Sequence, residues 1–329
     1  MSDQEQEPYY IQSLTVDDRE IPIDSVYSST YIENITMEGS KLILKLDDLA
    51  GFIKDDLGCA VGSVVTVHFS PAQTNANFKE SFVVLSMPND AGHLVLNCEQ
   101  SQSNVLKQRV IKQLFIHNNL PNDALKILAG GLSINGSIDG AECSYSVNIG
   151  STHNRMITSL GNDHACAIWV MRGALHVASY ATLESDRPVI TLSDEVVTPF
   201  TARILDIKYT DYSYSYDRTL NKKYCGWSIT GGAITGGNDS GVPQIMEAVT
   251  AKHLANRIKY LLPLAELTIG GNDDIKVGDV VQLAMSRQFE EDETLEALPK
   301  NVIVMRACHH YMEGVFKTLL IVGVVSNAK

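Results

Sequence analysis

Long apolar runs are missing from this chain. No stretch approaches the length of about 18 residues that a membrane-spanning helix needs, and the first residues, MSDQEQEP, lack a basic region followed by an apolar one. The expectation is a protein made and kept in a cytoplasm-like compartment, without membrane insertion. Cysteine is sparse: the six, at positions 59, 98, 143, 166, 225 and 308, are irregularly spaced and include no C-x-x-C pair. They read as reduced small hydrophobes, not as a disulfide or zinc framework. Basic clusters are missing too. The formal net charge is −13, and Lys222 with Lys223 is too small a cluster for recognition through phosphates, which needs concentrated Lys and Arg. Sequence-specific nucleic-acid binding is therefore not expected, although a channel lined with carboxylates would repel phosphates and let a duplex slide through. Neither a phosphate-binding glycine loop nor a dinucleotide fingerprint occurs, so no cofactor is expected.

What remains is ordinary globular material: 329 residues, 44% apolar and 20% charged, enough for two or three domains at about 150 residues each. The acidic, polar start at 1–8 cannot bury a core and is expected to be disordered.

The most informative pattern is internal. Residues 60–70 read AVGSVVTVHFS and residues 276–286 read KVGDVVQLAMS, identical at five of eleven positions. Val65, Val67 and Phe69 alternate with Thr66 and His68; Val281, Leu283 and Met285 alternate with Gln282 and Ala284. Period two places one set on a buried face. Gly62 and Gly278 stand at the same point before each strand, where a tight turn can use φ > 0. FVVLSM, a polar turn and LVLNCEQ follow the first copy; VIVMRACHH, the turn MEG and VFKTLLIVGVV follow the second. The chain thus reads as two similar antiparallel β units.

Boundaries follow from changes of period. The first unit spans 9–98. An α+β module is expected over 99–200, with a helix from Asn104 carrying Leu106, Val110, Ile111, Leu114 and Phe115 on one face, a short helix carrying Met156, Ile157 and Leu160, and a hairpin ACAIWVM/ALHVASY turning at Arg172 and Gly173. The second unit spans 201–329, interrupted by a helix at 243–262 with Leu254, Ile258 and Leu261 in one stripe, and by an acidic excursion at 287–298.

Chemistry is thin. GNDSG at 237–241 places Ser240 between glycines as in serine peptidases, but a nucleophile needs a base and an orienting carboxylate, and His253 has no such context. Cys308, His309 and His310 are metal-ligand types, yet adjacent strand residues point to opposite faces, so no metal site is expected. Tyr212, Tyr214 and Tyr216 line one face of a strand; they fit a protein interface, a half-exposed sheet or, less directly, a sugar platform.

The stretch EIPIDSVYSSTYIENITMEGSKLILKLDD followed by GCAVGSVVTVHF, the pair LTIGGNDDIKVGDVVQL and VIVMRACHHYMEGVFKTLLIV, and NRMITSLGNDHACAIWVMRGALHVASY between them resemble the baseplate hub proteins of contractile phage tails and related injection systems. The resemblance implies a mainly β, α+β fold: two tube-like antiparallel β-barrel domains, a small inserted α+β module, and a helix inserted in the second barrel. It also implies a homotrimer whose six barrels form a pseudo-six-fold ring, adapting a hexameric tail tube to a trimeric central spike around a channel for DNA or a tape-measure protein. Such a protein sits in the virion tail baseplate after assembly in the bacterial host cytoplasm, and is not an enzyme. The competing readings are a serine hydrolase using Ser240 and a carbohydrate-binding module using the tyrosine strand.

Overall fold

Period-two alternation governs most of the chain, and most of it is sheet. The computed structural model describes residues 10–48, 51–70, 78–194, 201–210, 222–228, 231–237, 239–246, 250–285 and 298–327. In the first unit, strands β1 (Tyr10–Val16), β2 (Arg19–Ile21), β3 (Val26–Asn34), β4 (Lys41–Leu46), β5 (Val64–Ser70), β6 (Phe78–Ser86), β7 (Asn89–Asp90) and β8 (His93–Gln100) lie in the order β2-β1-β5-β6-β8-β4-β3, with β7 beside β8. Val65, Val67 and Phe69 are fully buried, packed on Leu14, Leu44, Phe82 and Leu96. At about 1.5–3 kcal/mol for each such side chain removed from water, this alternating face holds the sheet curled.

The module between the units contains α1 (Ser101–Lys107), β9 (Leu114–Asn119), α2 (Pro121–Ala129), β10 (Ser133–Asn135), β11 (Cys143–Val147), α3 (His153–Asp163), β12 (Cys166–Met171), β13 (Ala174–Ser179) and α4 (Tyr180–Ser185). Pro121 opens α2 and Gly130, at φ +62°, closes it. Thr152 caps α3 by accepting the Arg155 N–H at 3.2 Å. Strand β12 is buried along its whole length: Ile168 and Val170 face the module core, while Ala167, Trp169 and Met171 face the core of the second unit. The expected helix from Asn104 to Phe115 is shorter. It ends at Lys107, and residues 114–119 pair with β11 as a strand, because Val105, Ile111 and Phe115 remain exposed and no buried face rewards continuing the helix.

The second unit comprises β14 (Ile190–Ser193), β15 (Thr201–Tyr209), β16 (Lys222–Ser228), β17 (Gly232–Gly237), β18 (Val242–Ile245), α5 (Ala251–Asn256), β19 (Lys259–Gly270), β20 (Val280–Ala284), β21 (Asn301–Met312) and β22 (Val315–Asn327). Six of these, β14-β15-β19-β22-β21-β20, close into a barrel when β20 pairs back to β14, which removes free edges. The helix expected at 243–262 is corrected to six residues. Val242–Ile245 is a strand beside β16, and Lys259–Gly270 is a long barrel strand whose Leu261, Ala265, Leu267 and Ile269 are buried. Leu254, Ile258 and Leu261 had matched a helical stripe only because the end of one element and the start of the next fall three and four residues apart. Among the described residues no helix is long and apolar enough to cross a membrane.

The two units share more than one motif. Strands β3, β4, β5, β6 and β8 correspond to β15, β19, β20, β21 and β22, and in chain order both sets lie in the sheet as third, fourth, fifth, second, first. Both carry a β-bulge in the first pair, at Val26/Ser28 and at Ile204/Asp206, and another in the terminal hairpin, at Val84/Ser86 and at Val304/Arg306. The turns agree as well. Gly62 has φ +96° and Gly278 +91°; their N–H groups donate to Val84 O at 2.8 Å and Val304 O at 2.9 Å. Ser63 Oγ accepts the Ala60 N–H as the Asp279 carboxylate accepts the Lys276 N–H. The units differ in the sixth strand: β1 is antiparallel to β5, whereas β14 is parallel to β20. Among the described residues β1 and β3 do not pair, so the first unit stays open where the second closes.

Candidate assembly site

The open edge of the first unit is filled by the second. Strand β3 pairs antiparallel with β21, from Ser28 opposite Met312 to Asn34 opposite Arg306, and joins the two units in one 14-stranded sheet. On one face of this junction Thr30 meets His310 at 2.8 Å and Arg306 Nε donates to Asn34 Oδ1 at 2.6 Å. The other face is buried and holds most of the chemistry. Tyr31 stacks on His309 with ring centroids 6.3 Å apart, and its hydroxyl donates to Glu80 at 2.7 Å. Gln100 Nε2 also donates to Glu80.

Two residues along β3, the Glu33 carboxylate is fully buried and accepts from Arg172 Nε at 2.9 Å. Arg172 reaches it from the tip of the β12–β13 hairpin, where its φ is +49°. The same guanidinium donates to Asp273 O at 3.2 Å and lies 4.5 Å over the Phe78 ring. The Val277 N–H, just before the repeated turn, completes the site on the second carboxylate oxygen at 3.4 Å. One buried ion pair thus ties both β units and the module together.

Burial sets the electrostatics. It pushes the Glu80 carboxyl up to about 7, with the nearby Glu33 adding to the rise, and lifts Asp279 to about 6. It lowers His309 to about 4, so the ring against Tyr31 is a neutral imidazole at pH 7. Such an arrangement fixes geometry; it offers no exposed nucleophile or open ligand position. Among the described residues no three His, Cys, Asp or Glu side chains gather as a metal cage.

No family model and no curated protein sequence matches the chain. Its architecture matches the crystal structure of a tail protein from Neisseria meningitidis MC58, at TM-score 0.65 and 13% identity over 96% of each chain. It also matches the 43 kDa tail protein of prophage MuSo2 from Shewanella oneidensis, at 0.61 and 11% over 95% of this chain and 97% of that one. The chain has the fold of phage tail proteins. A component of the E. coli type VI secretion system, itself described as structurally similar to the T4 tail proteins gp27 and gp5, shares this tail-protein fold at 0.53 and 10%, over 95% of this chain and 77% of that one. The resemblance to baseplate hub proteins seen in the sequence is therefore shared at the level of fold.

Within the tail-protein fold, the repeat positions occupy the two cores. Val65, Val67 and Phe69 are buried in the first, Val281 and Leu283 in the second, and Met285 packs against the rim of the second. Tyr212, Tyr214 and Tyr216, and residues 287–297 of the acidic excursion, lie outside the described residues. Ser240 is exposed in the turn before β18, beside Asp239, which pairs with Lys223 at 3.1 Å. His253 forms the capping box of α5 with Thr250 and packs edge-on against His164, and Asp163 is held by Arg257 at 2.6 Å and Tyr145 at 2.8 Å. Those groups serve the packing of α5 on the module. Glu33 and Glu80 were not picked out from the sequence, and Arg172 was read only as a residue of the hairpin turn. The readable signal was parity: Glu80 shares its face with Phe82 and Val84, and Glu33 shares its face with Tyr31.

Proposed function

We propose that this protein is a structural baseplate hub: a homotrimer that forms a pseudo-six-fold ring, adapts a hexameric tail tube to a trimeric central spike, and surrounds a channel. The observation that carries the reading is the repeat itself. A single chain presents two units with the same strand order, bulges and turn, already joined edge to edge by β3 and β21. Three copies supply six such units, which meet six-fold symmetry on one side and three-fold symmetry on the other. The net charge of −13 suits a lumen through which DNA or a tape-measure protein slides without sticking. The protein would then belong to the virion tail baseplate, assembled in the bacterial host cytoplasm, and act without a catalytic centre. The likeness to a secretion component that is itself similar to the T4 tail proteins gp27 and gp5 supports the placement in a tail-like assembly.

A ring interface of this kind should bury on the order of 2,000 Å² or more. The test is negative-stain electron microscopy of the purified protein, classified without imposed symmetry. Three-fold particles with six lobes and a central hole are expected; compact monomers, alone or mixed with tube and spike proteins, would refute the reading.

A further inference from the structure

The junction between the units uses two edges, β3 and the outer arm of β21, and because the units are repeats each edge has a counterpart in the other unit. The counterpart of β3 is β15. The counterpart of Arg306–Met312 is the arm of the β6–β8 hairpin from Ser86 through β7. The shared bulges set the correspondence: Tyr31 matches Tyr209 and Thr30 matches Lys208, while His309 matches Asn89 and His310 matches Asp90. The junction pairs His309 with Tyr31 and His310 with Thr30. Repeated once more, it pairs Asn89 with Tyr209 and Asp90 with Lys208, and those residues are too far along one chain's sheet to be that chain's own neighbours.

Three observations fit this pairing. First, both edges are open among the described residues. Strand β15 has β14 only as far as Arg203 and otherwise β19, and β7 has only β8. Second, the backbones face correctly. The Thr210 N–H donates to Leu264 O at 2.9 Å, and Pro88 O accepts from the Val95 N–H at 2.9 Å, so strand alternation turns the groups of Tyr209 and Asn89 outward. The Ile35 N–H donates across to Met305 O, so Tyr31, of the same parity, faces β21 in the same way. Pro88 lacks an N–H, but it sits at a position facing β8 and takes nothing from the open edge. Third, the side chains complement. Lys208 and Asp90 are exposed and of opposite charge, and this pairing would set them directly opposite one another; within the chain Asp90 pairs with Lys45 at 2.5 Å. Leu205 and Tyr209 beside them are 53% and 41% exposed.

We infer that the β15 edge of one copy adds to the β7 edge of a second copy of this chain, repeating the internal junction between molecules. Each copy offers β15 to one neighbour and β7 to another, so the contact is heterologous and ends only by closing a ring. The inference rests on the hub reading for the number of copies, but its register comes from the chain's own junction.

The test is a disulfide trap in the full-length chain. Asp90→Cys with Lys208→Cys places thiols at a non-hydrogen-bonded pair, where Cα atoms approach to about 4.5 Å. Oxidation with diamide should give a non-reducing ladder ending at the trimer, absent from the oxidised wild type. D90C chains mixed with K208C chains should stop at the dimer. Mass photometry of the unoxidised protein is read in parallel. Three-copy particles without the cross-link overturn this junction and leave the hub reading standing; monomers without the cross-link overturn both. As a second arm, Lys208→Asp should raise the concentration needed for assembly about fivefold or more, and Asp90→Lys in the same chain should restore it. Assembly of K208D at the wild-type concentration would count against the pairing.

Discussion

Replacing Glu80 with glutamine should stabilise the protein above pH 7 and change little at pH 5. The carboxyl is buried at the base of the junction and its pKa is raised from 4.5 to about 7, first by desolvation. An acid whose folded-state pKa is raised stabilises the fold in its protonated form. That stability is complete below about pH 4.5 and is lost as the pH climbs through 7. A rise of this size, at about 1.4 kcal/mol per pH unit, makes the carboxylate form about 3 kcal/mol less favourable in the folded state. The amide avoids this cost and keeps the contacts: its oxygen accepts from Gln100, and its NH2 donates to the Tyr31 hydroxyl, which turns to Ser40 Oγ, 3.3 Å away. For a chain of 329 residues 3 kcal/mol corresponds to roughly 4 °C in Tm. Thermal melts of both proteins at pH 5 and pH 8 read the difference directly. Asp279 also titrates near pH 6, but it is present in both proteins and drops out of the comparison. An E80Q-minus-wild-type gap that is the same at both pH values would refute the reasoning.

The remaining tests probe the clamp and the repeat. Arg172→Met strands a buried carboxylate and should cost about 3–5 kcal/mol in urea unfolding; adding Glu33→Gln in the same chain should recover much of it, and no recovery would mean that Arg172 acts through its Phe78 contact. The two repeated glycines should respond unequally. Gly62→Ala suffers only its positive φ, with open space around a new Cβ, and should cost about 1 kcal/mol. Gly278→Ala also drives the Cβ to 2.8 Å from the Trp169 ring and should cost at least about twice as much by the same denaturation assay.

The repeat was legible because its signals are local: alternation within a strand, and a glycine that needs φ > 0. The buried hairpin at Arg172 and Gly173 was legible for the same reason. The role of Arg172 was not, since its partner Glu33 lies 139 residues away and an arginine at a hairpin tip looks like any exposed turn residue. Helix lengths were misread where apolar positions of two successive elements fall three and four residues apart, as from Leu254 in α5 to Leu261 in β19; where the helix ends depends on the barrel strand that β19 must complete. Whether β3 closes on β1 or crosses to β21 is likewise a choice between distant partners, and nothing within β3 announces it.

That choice has a consequence in time. Strand β3 is complete once Asn34 is made, but the last residue it pairs with, Met312, follows 278 residues later. At roughly 5–20 residues per second, a nascent first unit waits about 15–55 s with this edge bare while the ribosome works through the module and most of the second unit. The stretch that waits runs from Ser28 to Asn34, a bare strand edge open to stray pairing. Synthesis of the β21–β22 hairpin is therefore the step that ends the exposure, and a ribosome stalled before it leaves the first unit able to aggregate.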